Sequence, residues 1–294
     1  MRSPEQPNRL TNCCLHHTHA AVSLLRRLLR VIFLLLLLPV LLLLGCQSRI
    51  IYYPRAYDAG SMRMLAKHRG ERIEYATGQG RQVAHYLPAR DGSSGTIWMC
   101  FAGNGSVALD WLAMLPEWDA SFGYLLVDYP GYGACSGKPN PKTIRESSQA
   151  AVLALAGHLK TTPEILRPRL AVLGHSIGCA AGLMAAEDQG VKRVVLIAPF
   201  TTMTEMGKRV LGWPLCYLNL HRFDNRKHLA AVVQQGARVT IFHGTDDGMI
   251  PISMSRELAA AHPGAVTLHE EAGQDHNFIL GNCSAKIAAA MLAK

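Results

Sequence analysis

A serine between two glycines is the first residue in this sequence whose setting indicates chemistry. The chain reads Gly174-His175-Ser176-Ile177-Gly178, directly after an apolar run and before small and apolar residues suited to a helix. A sharp turn from a strand into a helix strains its central residue, exposes its side chain and places it at the helix N-terminus. Flanking glycines let the strand and helix approach closely. The pattern predicts Ser176 as a nucleophile, although G-x-S-x-G alone is a weak signal.

A nucleophilic serine needs a base within hydrogen-bond reach and an acid that orients the base. Two later loops offer them. Asp246 and Asp247 follow a predicted strand at 239–243, and His276 follows a predicted strand at 266–270. Both loops lie beyond the carboxyl ends of strands, where open α/β sheets bind ligands. From spacing alone either aspartate is the acid.

Strands and helices alternate from residue 96 onward, which predicts a mostly parallel sheet with helices on both faces. Two earlier strands form a hairpin-like pair around the turn at 77–80. Thr143-x-x-Glu146 predicts a capping box for a helix that ends near Lys160. The sequence shows no internal repeat. The predicted strands are 73–76, 82–87, 96–101, 124–128, 170–173, 194–197, 239–243 and 266–270.

Several motifs in order make residues 70–294 resemble the α/β-hydrolase superfamily, in its serine-hydrolase branch with prolyl-oligopeptidase-like and esterase members. Beside the serine motif stand the segments AGN at 102–104, DYPGYGACSG at 128–137, HGTDDGMIP at 243–251 and GQDH at 273–276. The resemblance implies Asp247 as the acid, His276 as the base, and an oxyanion hole formed by the backbone N–H groups of Asn104 and Ile177. Ala102 stands where the family has a histidine.

The remaining polar residues near these motifs are expected to be structural. His175 is the variable residue of the serine motif and is expected to pack beside the site, while His243 ends a strand. Asp246 is expected to stabilise a turn.

The segment 199–236 is too long for an ordinary connection between strand and helix. We expect it to form a small cap over an acyl pocket, although surface helices would explain it equally. Its candidate pocket residues are Trp213, Tyr217 and Leu218.

Composition limits the remaining functions. The chain has 294 residues, of which 49% are hydrophobic and 17% are charged, so it is not a disordered chain. Its net charge of +9 comes without a dense Lys/Arg run, so nucleic-acid binding is not indicated. The eight cysteines lack metal-ligand spacing. We expect neither a metal nor an organic cofactor.

The N-terminus reads as a targeting segment. Three arginines precede the apolar run 31–44, whose length suits a signal peptide better than a bilayer span. Leu43-Leu44-Gly45-Cys46 resembles a bacterial lipobox, which implies cleavage before Cys46 and its lipidation. An uncleaved membrane anchor is the alternative. We expect a signal peptide at 1–46, a linker at 47–69 and a hydrolase domain at 70–294. Gln47 after the cysteine implies the outer membrane, on its periplasmic side.

The sequence therefore predicts a membrane-tethered serine hydrolase of the bacterial cell envelope. It would cleave carboxylic esters or thioesters of small acyl or lipid substrates through an acyl-enzyme. A serine peptidase on the same fold is one alternative. A catalytically silent lipoprotein that binds a lipid or a protein is the other.

Overall fold

The computed structural model describes residues 9–93 and 95–293 and divides the chain into two compact units, Met1–Gln47 and Ser48–Lys294. Helix α1 spans Arg9–Ile51 and contains Pro39. Its part Leu24–Ile51 reaches a mean hydropathy of 2.8, and it is the one helix in the described residues long and apolar enough to cross a membrane. A signal sequence near an N-terminus has the same features.

The unit Ser48–Lys294 is built on an eight-stranded sheet. The strands are β1 Glu71–Thr77, β2 Gly80–Leu87, β3 Ile97–Phe101, β4 Gly123–Val127, β5 Leu170–His175, β6 Arg193–Ile197, β7 Arg238–Gly244 and β8 Val266–Glu271. Their order in the sheet is β1-β2-β4-β3-β5-β6-β7-β8. Strands β1 and β2 pair antiparallel, β2 and β4 pair antiparallel, and β3 to β8 run parallel. The predicted mostly parallel sheet is confirmed.

Helices cover both faces of this sheet and enclose two apolar cores. The helices are α2 Ala59–Lys67, α3 Pro141–His158, α4 Pro163–Leu166, α5 Ile177–Gln189, α6 Met203–Leu211, α7 Asn225–Gln234, α8 Ile252–Ala260, α9 Ile279–Asn282 and α10 Ser284–Leu292. The larger core lies under α3, α5, α7 and α8, and the other lies under α2, α10 and a 3-10 helix at Ala108–Ala113. Because both faces are covered, β3, β4 and β5 are buried along their whole length.

Residues 47–69, expected to be a linker, differ from that expectation. Helix α2 lies within them, and the side chains of Tyr52 and Leu65 are buried in the cores. The Gly133 N–H donates a 2.8 Å hydrogen bond to the Arg55 carbonyl. The segment packs against the rest of this unit through a few aromatic and apolar side chains.

The cap on α3 also differs from the prediction. Asn140, not Thr143, is the N-cap, and its side chain accepts from Thr143 N–H at 3.0 Å. The Thr143 hydroxyl accepts in return from Asn140 N–H at 3.0 Å. Thr143 is thus the third residue of the helix, because Pro141 takes the first position, where its missing N–H costs nothing.

Only part of the segment 199–236 stands apart from the sheet. Thr202 and Asp224 form an isolated β-bridge, and Met203 N–H donates to the Phe223 carbonyl at 2.9 Å. These bonds close the base of residues 202–224, which we call the excursion. It holds α6 and a 3-10 helix at Leu215–Leu218. Helix α7, by contrast, buries Leu229 and Val232 in the core, as a crossover helix does.

Candidate active site

Ser176 occupies the sharp turn between β5 and α5. Its φ of 56° and ψ of −120° are strained for a residue with a side chain. The two glycines of the motif are required by close contacts. A Cβ on Gly174 would lie 2.5 Å from the Gly178 carbonyl oxygen, and a Cβ on Gly178 would lie 2.2 Å from that of Phe101. The Ser176 N–H is fixed by a 2.9 Å bond to the Ile197 carbonyl.

His276 links the serine to an aspartate. Its Nε2 lies 3.0 Å from Ser176 Oγ, and its Nδ1 lies 2.7 Å from Asp247 Oδ2. The carboxylate can only accept a hydrogen bond from Nδ1, so Nδ1 carries the proton. Nε2 is then free to accept a proton from the serine hydroxyl. All three side chains are buried. The structure therefore brings together the three residues predicted as nucleophile, base and acid.

Of the two adjacent aspartates, only Asp247 reaches the histidine. Asp246 is exposed, its carboxylate accepts from the Thr245 hydroxyl, and its N–H donates to the Gln274 carbonyl. Asp246 thus ties the two loops that carry Asp247 and His276, in keeping with the turn role expected of it.

Four donors surround Asp247. Its Oδ1 accepts from Met249 N–H at 2.9 Å and from Ile250 N–H at 2.8 Å. Its Oδ2 accepts from His276 and, at 3.2 Å, from His243 Nε2. Burial alone would raise the pKa of Asp247, but the bonds from His243, His276 and Ile250 outweigh burial and hold the pKa well below its ordinary value. The carboxylate is therefore negative and can stabilise a charged His276.

The contact from His243 to Asp247 was not foreseen in the sequence. His243 Nε2 also lies 2.8 Å from the Ile250 carbonyl, which can only accept, so Nε2 carries the proton. Nδ1 then accepts from the Ser255 hydroxyl at 2.6 Å. The signal was present in the motif, because Asp247 follows His243 by only four positions across a tight loop.

His175 packs beside the site, as expected. Its Nε2 lies 3.0 Å from the His276 carbonyl, and the two rings are 5.0 Å apart. Burial, together with the charge of His276, lowers the pKa of His175 to about 4. His175 is therefore neutral at pH 7 and donates to the backbone of the loop that carries His276.

The loop after β3 lies next to the serine. A Cβ on Gly103 would lie 2.7 Å from His175 Nδ1 and 3.6 Å from Ser176 Cβ. Within residues 9–93 and 95–293, no hydrogen bond uses the backbone N–H of Asn104 or Ile177 as donor. Two such groups near a nucleophile can bind an oxyanion.

Other residues hold this loop where the family histidine is replaced by Ala102. The Tyr129 hydroxyl donates to the Ala102 carbonyl at 2.6 Å. The Asn104 side chain accepts from Tyr53 N–H at 3.0 Å and from the Tyr132 hydroxyl at 2.8 Å, and it donates to the Ile51 carbonyl at 2.6 Å. The segment around Tyr53 therefore supports the loop beside the nucleophile.

The three candidate pocket residues lie at the end of the excursion. Trp213 is 75% exposed, Tyr217 is exposed and Leu218 is half-buried. Their role in an acyl pocket stays a prediction.

A strained serine above a parallel sheet, hydrogen-bonded to a histidine and through it to an aspartate, is the arrangement of enzymes that transfer acyl groups. The model of the alpha/beta hydrolase family matches residues 99–288. The chain belongs to the alpha/beta hydrolase family.

Relatives and solved structures agree with this family. An uncharacterized protein of Mycobacterium tuberculosis is 29% identical over 218 residues, which cover 73% of this chain and 75% of that protein. The human alpha/beta hydrolase domain-containing protein 17B is 32% identical over 126 residues, 43% of this chain and 40% of that protein. An esterase of Pyrococcus furiosus has a TM-score of 0.63 at 13% identity, over 82% of this chain and 96% of the esterase. An alpha-beta hydrolase of Vibrio vulnificus has a TM-score of 0.62 at 18% identity, over 80% and 88%.

Proposed function

We propose that this protein is a membrane-tethered serine hydrolase that cleaves carboxylic ester or thioester bonds through an acyl-enzyme. The observation that carries the proposal is the unbroken hydrogen-bonded chain from Ser176 Oγ through His276 to Asp247. The solved esterase with a similar fold supports the esterase class. A hydrolase with ester substrates fits this site without a metal or a cofactor.

In the first half-reaction His276 Nε2 takes the proton of the Ser176 hydroxyl as its oxygen attacks the substrate carbonyl. Asp247 stabilises the imidazolium that forms. The N–H groups of Asn104 and Ile177 donate to the oxyanion, and His276 then protonates the leaving alcohol or thiol. In the second half-reaction His276 activates a water molecule that attacks the acyl group and releases Ser176.

An activity-based probe tests the nucleophile directly. The full chain in mild detergent, treated with a fluorophosphonate, should be labelled at Ser176, because only an activated serine attacks phosphorus readily. Ser176→Ala should abolish labelling without lowering the melting temperature, and hydrolysis of a soluble ester should fall by at least about 10⁴-fold. Equal labelling of Ser176→Ala would refute the assignment. A folded chain that is not labelled would favour the binding protein.

A substrate panel separates esterase from peptidase. We expect turnover of acyl esters and thioesters and slow turnover of aminoacyl amides at the same site. Faster cleavage of the amides would favour the serine peptidase.

The membrane tether is proposed from the N-terminal apolar segment. Its leucines in the range 24–42 are exposed, apart from the half-buried Leu37, and exposed leucines suit lipid better than water. Mass spectrometry of the mature chain should show a lipid-modified Cys46 as its first residue, and Cys46→Ser should remove the modification. A chain that retains residues 1–45 in the membrane would instead be an uncleaved anchor. Membrane fractionation tests the expected outer-membrane location.

A further inference from the structure

The excursion exposes an unusual amount of apolar surface. Five large apolar side chains within 11 residues are exposed to solvent, although soluble surfaces carry such residues singly. Helix α6 buries none of its residues completely. The five exposed side chains are Val210, Trp213, Leu215, Tyr217 and Leu220.

The polar residues between them are basic. Lys208, Arg209 and Arg222 are exposed, whereas the two acidic residues of the excursion, Glu205 and Asp224, are half-buried. Apolar and aromatic side chains interleaved with Lys and Arg are typical of segments that lie in the interface of an anionic membrane. If two copies of this chain met through their excursions, the basic residues of one copy would face those of the other and the two surfaces would repel each other.

The excursion also lies beside the place where the chain leaves its apolar N-terminal segment. The Tyr52 hydroxyl lies 3.2 Å from His221 Nδ1, and their rings pack edge to face with centroids 5.2 Å apart. Ser48 Oγ lies 3.4 Å from His221 Nε2. Ser48 belongs to the last turn of the membrane-length segment Leu24–Ile51. The chain therefore enters the unit Ser48–Lys294 next to the excursion.

The excursion is also connected to the candidate active site. It follows β6 at the carboxyl edge of the sheet, and Ile197, the last residue of β6, holds the Ser176 N–H. A surface docked on the excursion would thus lie at the edge of the sheet that carries Ser176.

We propose that the excursion docks on an anionic lipid surface and that the enzyme takes its ester substrate from that surface. The docking stands on the exposed residues and the basic charge, while the substrate class rests on the proposed hydrolase function. Val210, Trp213 and Leu215 enter the interface, and Lys208 and Arg209 contact the lipid headgroups.

The chain contains an intrinsic fluorescent probe for this docking. Of its four tryptophans, Trp98, Trp111 and Trp118 are buried and Trp213 is exposed. Iodide in water and bromine on lipid acyl chains therefore quench chiefly Trp213. The full chain is reconstituted into phosphatidylcholine vesicles with and without phosphatidylglycerol, and Trp213→Phe identifies the signal of that residue.

In anionic vesicles we expect bromolipids to quench Trp213 and iodide to lose access to it. Tethering without docking would leave Trp213 open to iodide and unquenched by bromolipids, which would overturn the proposal. Protection from iodide that grows with protein concentration, without bromolipid quenching, would also overturn it, because a second copy would then cover the excursion.

A charge placed on the excursion tests its link to activity. Val210→Asp should lower the ratio of lipid-ester to soluble-ester hydrolysis by about tenfold, since it puts a carboxylate into the interface. Ile165→Asp is the matched control, because Ile165 is also an exposed apolar residue but lies before β5, at the opposite edge of the sheet. An unchanged ratio in Val210→Asp would contradict the proposal. Retained fluorophosphonate labelling in both variants separates this result from a failure of the hydrolase function itself.

Discussion

Asp247 and Asp128 are two buried aspartates that follow parallel strands at the same edge of the sheet, yet their carboxyl groups favour opposite charge states. The pKa of Asp247 lies well below its ordinary value, whereas burial raises the pKa of Asp128 to about 7. Asp128 accepts from Ala108 N–H at 2.8 Å and hydrogen-bonds the Tyr57 hydroxyl. Asp247 has four donors, two of them imidazoles.

The difference shows that the donor set, rather than burial, decides what a buried carboxyl group does. Asp247 keeps its charge and can stabilise a cation on His276. Asp128 holds Tyr57 and the 3-10 helix that begins at Ala108 against the sheet, so we assign it a structural role. A Cβ on Gly133 would lie 2.4 Å from Asp128 Oδ2, and this packing leaves little room for water there.

The largest effect should come from removing the negative charge beside His276. Asp247→Asn should lower kcat for a soluble ester by about 10³- to 10⁴-fold, because the imidazolium loses its negative partner and the amide N–H can hold His276 in the wrong tautomer. Asp246→Asn, one residue away and exposed, is the matched control, and its kcat should stay near that of the unchanged chain. Asp128→Asn should also keep the kcat of the unchanged chain. A comparable loss of kcat in Asp128→Asn would contradict the structural role assigned to Asp128.

The second effect concerns stability and pH. The folded pKa of Asp128, about 7, is above its ordinary value of 3.8, so its contribution to folding is full at low pH and is lost as pH rises towards and through about 7. Between pH 5 and pH 8 the unchanged chain should lose on the order of 2–3 kcal/mol of unfolding free energy more than Asp128→Asn. Urea unfolding at both pH values measures this.

Asp247 should act with the opposite sign. Its lowered pKa stabilises the folded chain above the ordinary aspartate pKa, and this contribution is lost as pH falls through the folded value. If the unfolding free energy of the unchanged chain and that of Asp128→Asn changed equally between pH 5 and pH 8, the raised pKa of Asp128 would be contradicted.

The smallest effect should come from the second imidazole on Asp247. His243→Leu removes a hydrogen bond to a charged group, worth about 1.5–3 kcal/mol, and should lower kcat by about 10- to 100-fold with little change in KM. His243→Gln can still donate an N–H and should recover part of the rate. Melting temperatures of both variants separate this from a loss of folding, and equal rates in Leu and Gln variants would show that the donor is unimportant.

The sequence is informative where chemistry is carried by short motifs. Glycines 174 and 178 predict the strained turn at Ser176 because any side chain there would meet the backbone. The alternation of predicted strands and helices places the loops of Asp247 and His276 at one edge of the sheet. The order of these residues along the chain completes the candidate site.

Contacts between residues far apart in the chain could not be predicted from the sequence. Tyr52 and Tyr57 belong to none of the motifs, and only the folded chain brings them to His221 and Asp128. The same holds for Asn104, whose side chain is occupied by partners from residues 51–53 and by Tyr132. Such contacts depend on tertiary packing, for which a single sequence carries no periodic signal.

The bridge between Thr202 and Asp224 makes the excursion an exchangeable module. Its two ends meet beside one another, so a longer, shorter or foreign segment can be inserted between them while the sheet keeps its register. Thr202 caps α6 and Asp224 caps α7, so each helix start is specified at the junction itself. One insertion point therefore allows the proposed lipid-docking surface to be redesigned while the reacting residues stay unchanged.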